Sequence, residues 1–218
     1  MQKLTLPKKY ISWSQLNQWL TDKDAYRERY YLNVDMRKTP ELFFGSEIAK
    51  GLEDGSIVIP NLTQYPVQEY KIMIDVNDVP FYGYVDQYWP EKHKFRETKT
   101  GKFKPDGRPR WDDEAVKNHG QLDVYSTLIQ IKDGFVDDET HLDWVITRNK
   151  IKYIEFDGHQ LAAASSEIEM TGEVRSFRRI VTQTERERTK ILIATVAAEI
   201  SEDYARFLKY TPIIVPGT

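Results

Sequence analysis

Three short segments hold the residue types that could do chemistry: Tyr82-Gly-Tyr-Val-Asp86, Arg96-Glu-Thr-Lys99 and Gln121-Leu-Asp-Val-Tyr125. Asp86 closes an apolar and aromatic run. Glu97 and Lys99 follow across a short polar turn. Side chains alternate along a strand with period two, so Glu97 and Lys99 share one side. Gln121 and Tyr125, four apart, share one face of a helix. Two carboxylates at neighbouring strand ends can hold a divalent cation, and a lysine beside them can act on a water. That is the equipment for metal-assisted attack of water on a phosphodiester. Each piece alone has a plainer reading: Asp86 as the cap of a turn, Glu97 and Lys99 as an exposed ion pair across strands. The ordered combination is what argues for chemistry.

The elements that must position these residues are legible in outline. Ser12-Trp-Ser14-Gln-Leu opens a capped helix with Leu16, Trp19 and Leu20 on its apolar face, Ser12 or Ser14 being the cap. Residues 24–32 continue it or begin a second helix. Pro40 breaks the pattern, and residues 43–53 read as a short helix ending near Gly55. Residues 67–75 alternate, Asn77-Asp78 is a turn, 79–88 is a second strand and 94–98 a third, an antiparallel meander. Gly101 to Arg110, with two Gly, two Pro and four basic residues, reads as a mobile, exposed loop. Asp112 or Asp113 then caps a helix to about Ile131. Residues 141–147 are a buried strand, 151–156 a weaker one, and 174–181 an arginine-rich one. Thr182 or Thr184 opens a final helix to about Tyr210, with Thr184-Glu-Arg-Glu187 in capping-box spacing and Pro212 and Pro216 ending it.

Composition narrows the class. The chain has 218 residues, 40% apolar and 30% charged, which fits one ordinary globular domain. It has no cysteine, so disulfides and Cys-ligated zinc or iron–sulfur sites are excluded. The start lacks the apolar core of a signal peptide, and no run approaches the ~18 apolar residues of a membrane span, so a cytosolic protein without membrane contact is expected. The net charge of −3 argues against a generic polyanion binder. The distribution is uneven, however. Residues 92–110 hold eight Lys or Arg against Glu97 and Asp106, and residues 173–190 hold six basic against three acidic. Such strips suit phosphates; the plainer reading is a solvated loop.

The order of these motifs resembles the RecB-like branch of the PD-(D/E)XK nuclease superfamily, in particular its phage-type exonucleases. The resemblance rests on Asp86 in Gly-Tyr-Val-Asp, on Glu97 and Lys99 in Glu-Thr-Lys-Thr-Gly-Lys, and on Gln121 with Tyr125. It is joined by the Ser12-Trp-Ser-Gln-Leu opening and by Gly45-Ser-Glu-Ile-Ala-Lys-Gly-Leu-Glu53, which is similar to a Gly-x-x-x-His helix of such enzymes. It spans roughly residues 10–130. It implies an α/β fold with a restriction-endonuclease-like core, a central mixed β-sheet flanked by helices, and a Mg²⁺- or Mn²⁺-dependent deoxyribonuclease. Asp86, Glu97 and the backbone carbonyl of Thr98 would hold the metal. Lys99 would position the attacking water, help deprotonate it or stabilise the developing charge. Gln121 and Tyr125 would orient the substrate phosphate or support Lys99.

The implied partners are DNA and a recombination or single-strand-binding protein. Phosphate contacts are expected from Lys102, Lys104, Arg108 and Arg110 and from Arg175, Arg178 and Arg179. One position departs from the pattern. Residue 49 is Ala where the helix commonly carries a metal-binding His. Glu47 or Glu53 could take its place; Glu53, one turn beyond Ala49 on the same face, is preferred. Without cysteines the chain cannot carry the iron–sulfur cluster of some relatives. A non-catalytic DNA-binding relative of the same fold is the alternative. His93, His119, His141 and His159 are expected to be structural or solvent-facing, and Trp13 and Trp19 to be core.

Overall fold

A computed structural model describes residues 4–35, 39–59, 62, 64–134, 139–156 and 159–210, with the side chains of 152–166 excepted. The expected helix stop at Pro212 and Pro216 and the side chain of His159 lie outside the described residues.

The elements run α1 (Trp13–Thr21), α2 (Lys23–Tyr30), α3 (Pro40–Glu53), β1 (Val67–Val76), β2 (Val79–Trp89), β3 (Lys94–Gly101), α4 (Asp113–Lys117), α5 (Gly120–Asp133), β4 (Glu139–Phe156), β5 (His159–Arg179) and α6 (Gln183–Tyr210), with one turn of 3₁₀ helix at Pro90–Lys92. The five strands form one mixed sheet in the order β1-β2-β3-β4-β5. All neighbours are antiparallel except β3 and β4, which are parallel. A parallel pair needs a crossover, and α4 and α5 supply it.

Alternation along β4 divides the molecule. Leu142, Trp144 and Ile146 enter the larger core with α1, α2, α5, α6 and the β1–β2 hairpin. Val145 joins Ile48 and Leu52 of α3 in a smaller core on the opposite face. Each fully buried Leu, Ile, Val or Phe contributes about 1.5–3 kcal/mol. Trp19 is core, as expected.

Several local expectations are corrected. Pro40 does not break a helix; it sits in the first turn of α3, where its missing N–H costs nothing, and the Thr39 side chain accepts from Leu42 N–H. The expected helix from Asp112 to Ile131 is two helices. His119 between them has an extended backbone (φ −83°, ψ 95°), its ring against Trp111 (4.8 Å) and Trp13 (6.1 Å). The cap of α1 is Ser12. The capping box of α6 is Thr182 with Glu185, two residues before the one expected: Thr182 Oγ1 accepts from Glu185 N–H (3.2 Å), and Glu185 Oε2 accepts from Thr182 N–H (2.7 Å). The last strands are one long hairpin rather than three pieces, because β4 and β5 pair from Thr140–Arg179 out to Phe156–His159.

Candidate active site

Asp86 does not end β2, which runs on to Trp89. What ends there is its pairing with β3. The β2–β3 ladder consists of Trp89–Lys94, Tyr88–Phe95 and Gln87–Arg96. Asp86 and Glu97 are the next residues on each strand, at the fork where the strands part. Asp86 N–H donates to Glu97 Oε1 (3.3 Å), and Thr98 N–H donates to Asp86 Oδ2 (2.7 Å). Lys99 Nζ lies 3.4 Å from Glu97 Oε2. Gln121 Nε2 donates to the same oxygen (2.8 Å). Four of the sequence-predicted residues therefore meet at one carboxylate.

Gln121 and Tyr125 are placed by α5, whose face is buried against β1 and β2. Tyr125 lies over Gly83 of β2, where a Cβ would come 3.0 Å from its ring; glycine lets the helix approach. Both side chains are buried. Gln121 holds the Glu97 carboxylate from behind, and the Tyr125 phenol is hydrogen-bonded to Gln121.

Glu97 is 1% exposed and its carboxyl is pushed well above the usual range, first by burial and then by the neighbouring Asp86. Asp86 is raised by burial against the pull of Lys99 and the Thr98 N–H. Burial and the charge of Glu97 push Tyr125 up, keeping a protonated phenol. His119 is lowered to about 4 by burial and then by Lys99, so its ring is neutral.

On the α3 side of the fork lies a cavity of about 50 Å³ lined by Ala49, Leu52, Glu53, Glu69, Asp86 and Thr98, among others. Gly45 of α3 meets β3 closely there: a Cβ would come 2.9 Å from Thr100 Oγ1. Glu53 shares this cavity with Ala49, as the helical spacing predicted; Glu47 does not line it. Glu97 is not part of its lining, so Asp86 is the carboxylate common to both clusters.

Sequence reasoning missed Glu69. Its backbone is left-handed (φ 49°), and the β1–β2 ladder skips it between Gln68–Gln87 and Tyr70–Val85. Burial, then Asp86 and Glu53, raise its carboxyl to about 7. A signal was available. The two-residue turn at Asn77 and Asp78, both at positive φ, sets Val76 opposite Val79. Counting back along that register puts Glu69 opposite Asp86.

The donors are oxygen only, which suits a hard divalent cation. Two carboxylates converge at the fork, served there by the ammonium of Lys99. A cation would compensate the charge that burial leaves costly. The residues thus fit Mg²⁺ or Mn²⁺ in kind, although among the described residues no three acidic or histidine side chains are gathered into a ready-made cluster.

The basic residues divide. Arg179 is 8% exposed and buried in structure: it reaches Asp123 (2.5 Å), Glu185 (3.2 Å) and the carbonyl oxygens of Val116 and His119 (3.3 Å each). Its burial and the partners of both terminal nitrogens speak against the expected role on DNA. Arg178 is exposed but paired with Glu139 (2.5 Å), and alternation turns it away from the face of Lys99. Lys102 ties the loop to Glu41 of α3 (3.0 Å) and Asn149 of β4 (2.8 Å). Lys104, Arg108 and Arg110 are exposed on the loop, and Arg175 shares the row of Lys99.

Solved structures similar to this one include the following two. A phage-related exonuclease from Haemophilus somnus 129PT aligns with a TM-score of 0.50 and 14% identity, over 86% of this chain and 85% of its own. A protein from Eubacterium rectale, provisionally described as an exonuclease, aligns with a TM-score of 0.50 and 10% identity, over 92% and 80%. The chain shares their fold. At these identities the likeness speaks for the fold alone. No protein-family model and no curated protein matches the sequence. Among the described residues no helix is long and apolar enough to cross a membrane.

Proposed function

We propose that this protein is a metal-dependent nuclease, an exonuclease acting on DNA, that hydrolyses phosphodiester bonds at the fork between β2 and β3. The observation that carries the reading is the convergence of Asp86, Lys99 and Gln121 on Glu97. The fold shared with a phage-related exonuclease, and with a second protein provisionally described as one, supports it.

Asp86, Glu97 and the carbonyl of Thr98 would hold Mg²⁺ or Mn²⁺, with Glu53 and Glu69 as further acids on the α3 side. Such an ion supplies Lewis-acid polarisation of the phosphate and a lowered pKa for bound water. Gln121 fixes the Glu97 carboxylate so that it need not reorganise during reaction. The Thr98 N–H does the same for Asp86. Lys99 presents a positive charge beside both carboxylates, where it can orient the attacking water and stabilise the charge that builds on the phosphoryl oxygens. Tyr125 closes the back of the site against solvent. Lys104, Arg108, Arg110 and Arg175 offer cations to the strand backbone.

The test is digestion of labelled linear single- and double-stranded DNA with Mg²⁺, with Mn²⁺ and with EDTA. Metal-dependent release of nucleotides is expected, and it should vanish in Lys99→Ala. Digestion that survives EDTA would defeat the metal mechanism. Binding without digestion in either metal would favour a non-catalytic DNA-binding protein of the same fold.

A further inference from the structure

Next to Lys99 lies a surface that hydrolysis itself does not use. Lys99, Trp144 and Arg175 occupy one register row across β3, β4 and β5. Partners in a row share a face, and neighbouring strands are about 4.8 Å apart. Trp144 and Arg175 therefore stand one and two strand widths from Lys99. Trp144 is fully buried, and its Nε1–H donates to the Gly101 carbonyl (2.9 Å).

The loop after β3 packs on this row through Phe103. Its ring meets Trp144 edge-on, with centroids 5.0 Å apart. The Arg175 guanidinium lies over both rings, 5.3 Å from Phe103 and 5.7 Å from Trp144, and is held by Glu173 (2.8 Å). The loop is closed on itself: Lys104 N–H donates to the Arg108 carbonyl and Gly107 N–H to the Lys104 carbonyl (2.9 Å each). Phe103 nonetheless remains 37% exposed. Around it, residues 101–111 carry Lys102, Lys104, Arg108 and Arg110 against Asp106 alone. Arg108 is paired with Asp106 (2.6 Å) and Lys102 with Glu41 (3.0 Å), while Lys104 and Arg110 are exposed; an aromatic ring is thus fixed, partly bare, among cations within about two strand widths of Lys99.

We propose that Phe103 is a stacking platform for an unpaired base of the substrate strand, and that the protein therefore takes DNA with exposed base faces: a single strand or the frayed end of a duplex. This rests on the nuclease reading above and names its substrate class. Every base offers a π-face, so stacking on Phe103 holds a strand without reading its sequence. The flanking cations engage the backbone on either side. Paired and stacked bases inside a duplex have no face to offer the ring. Because Phe103 is backed by Trp144 and Arg175, little freedom is left to lose when a base arrives.

Binding is measured by fluorescence anisotropy in EDTA, so that nothing is cut. The probes are a labelled single-stranded oligonucleotide, the same strand with abasic sites, and the paired duplex. Phe103→Ala and Phe103→Leu should weaken single-strand binding roughly 5- to 150-fold, the range given by loss of one base–aromatic stack. The salt slope should not change, because no phosphate contact is removed. Phe103→Trp should retain affinity, and the abasic strand should bind the parent protein about as weakly as the intact strand binds Phe103→Leu. Phe103→Leu keeps the apolar contact with Trp144, so a parent-like melting temperature separates stacking from folding. Parent-like single-strand affinity in Phe103→Leu overturns the inference, as does equal affinity of the parent for intact and abasic strands. If the parent digests DNA while either holds, only this inference falls. A parent that neither binds nor digests DNA removes the nuclease reading as well.

Discussion

Asp86 and Glu97 face each other where β2 and β3 separate, and each is tied to the other's strand: Asp86 N–H donates to Glu97, and Thr98 N–H donates to Asp86. Lys99 touches Glu97 from the same strand. This geometry predicts that the roles separate. Glu97→Gln keeps the shape and removes a buried negative charge facing another. Its melting temperature without metal should be at least that of the parent, while the rise on adding Mn²⁺ and the turnover should both be lost. Lys99→Ala should bind Mn²⁺ as well as or better than the parent, because a cation that repels the metal is gone. Its turnover should fall by orders of magnitude, since its work is done in the transition state. Calorimetry with Mn²⁺ and a cleavage assay read both. Parent-rate cleavage by Lys99→Ala would falsify the assignment.

Arg179 gives a prediction of the opposite kind. It answers Asp123, Glu185 and two carbonyls from a buried position. Arg179→Ala should cost about 3–5 kcal/mol of stability, because it leaves Asp123 charged and unpaired. Urea denaturation measures this. Arg175→Ala, by contrast, should fold nearly as well and bind DNA less tightly. An Arg179→Ala protein of parent stability would return that residue to the candidate phosphate ligands.

What could be read from the sequence followed from spacing. Glu-x-Lys on a strand and Gln-x-x-x-Tyr on a helix fix a side and a face, and the structure brings Glu97, Lys99 and Gln121 into contact as those periods require. The β1–β3 meander was legible for the same reason. What the sequence hid depends on contacts distant along the chain. Arg178 and Arg179 are neighbours of equal charge, yet one is exposed and the other buried, because Asp123 and Glu185 arrive from two helices. The break at His119 is made by rings from Trp13 and Trp111. Glu69 looked like one more outward residue of an alternating strand until its left-handed backbone set it beside Asp86.

The start of β4 at Glu139 supplies a pH dependence unrelated to catalysis. Glu139 is ringed by Lys94, His141 and Arg178. The hydrogen bond from Lys94, above all, lowers its carboxyl to about 2 from an ordinary 4.5. A depressed carboxyl adds stability that is complete above its unfolded pKa and is lost as pH falls towards the folded one. The contribution should therefore be full above about pH 5 and fade between about pH 4.5 and 2. Discounted for the solvent that reaches Arg178, Glu139→Gln should cost about 1–2 kcal/mol at pH 7 and much less at pH 3. Urea curves at the two values test it; an equal deficit at both would mean that the charge of Glu139 contributes nothing.

The cavity under α3 supplies the last prediction. Ala49 and Glu53 are one turn apart on α3 and line it together with Asp86 and Glu69. If an acid here does the work that a histidine at position 49 would do, Glu53→Gln should weaken Mn²⁺ binding several-fold with little effect on folding, since Glu53 is exposed. Ala49→His in the Glu53→Gln protein should then recover affinity, because an imidazole would enter the same cavity from the same helix face. Its preference should also shift from Mg²⁺ towards Mn²⁺, since a nitrogen donor suits the softer ion better. Glu69→Gln serves as the comparison: it faces Asp86 from β1 rather than α3, so Ala49→His should not replace it as well. Calorimetric titration of the four variants with each metal distinguishes the cases. If Glu53→Gln binds Mn²⁺ as the parent does while Glu69→Gln does not, the missing ligand comes from the strand and not from the helix.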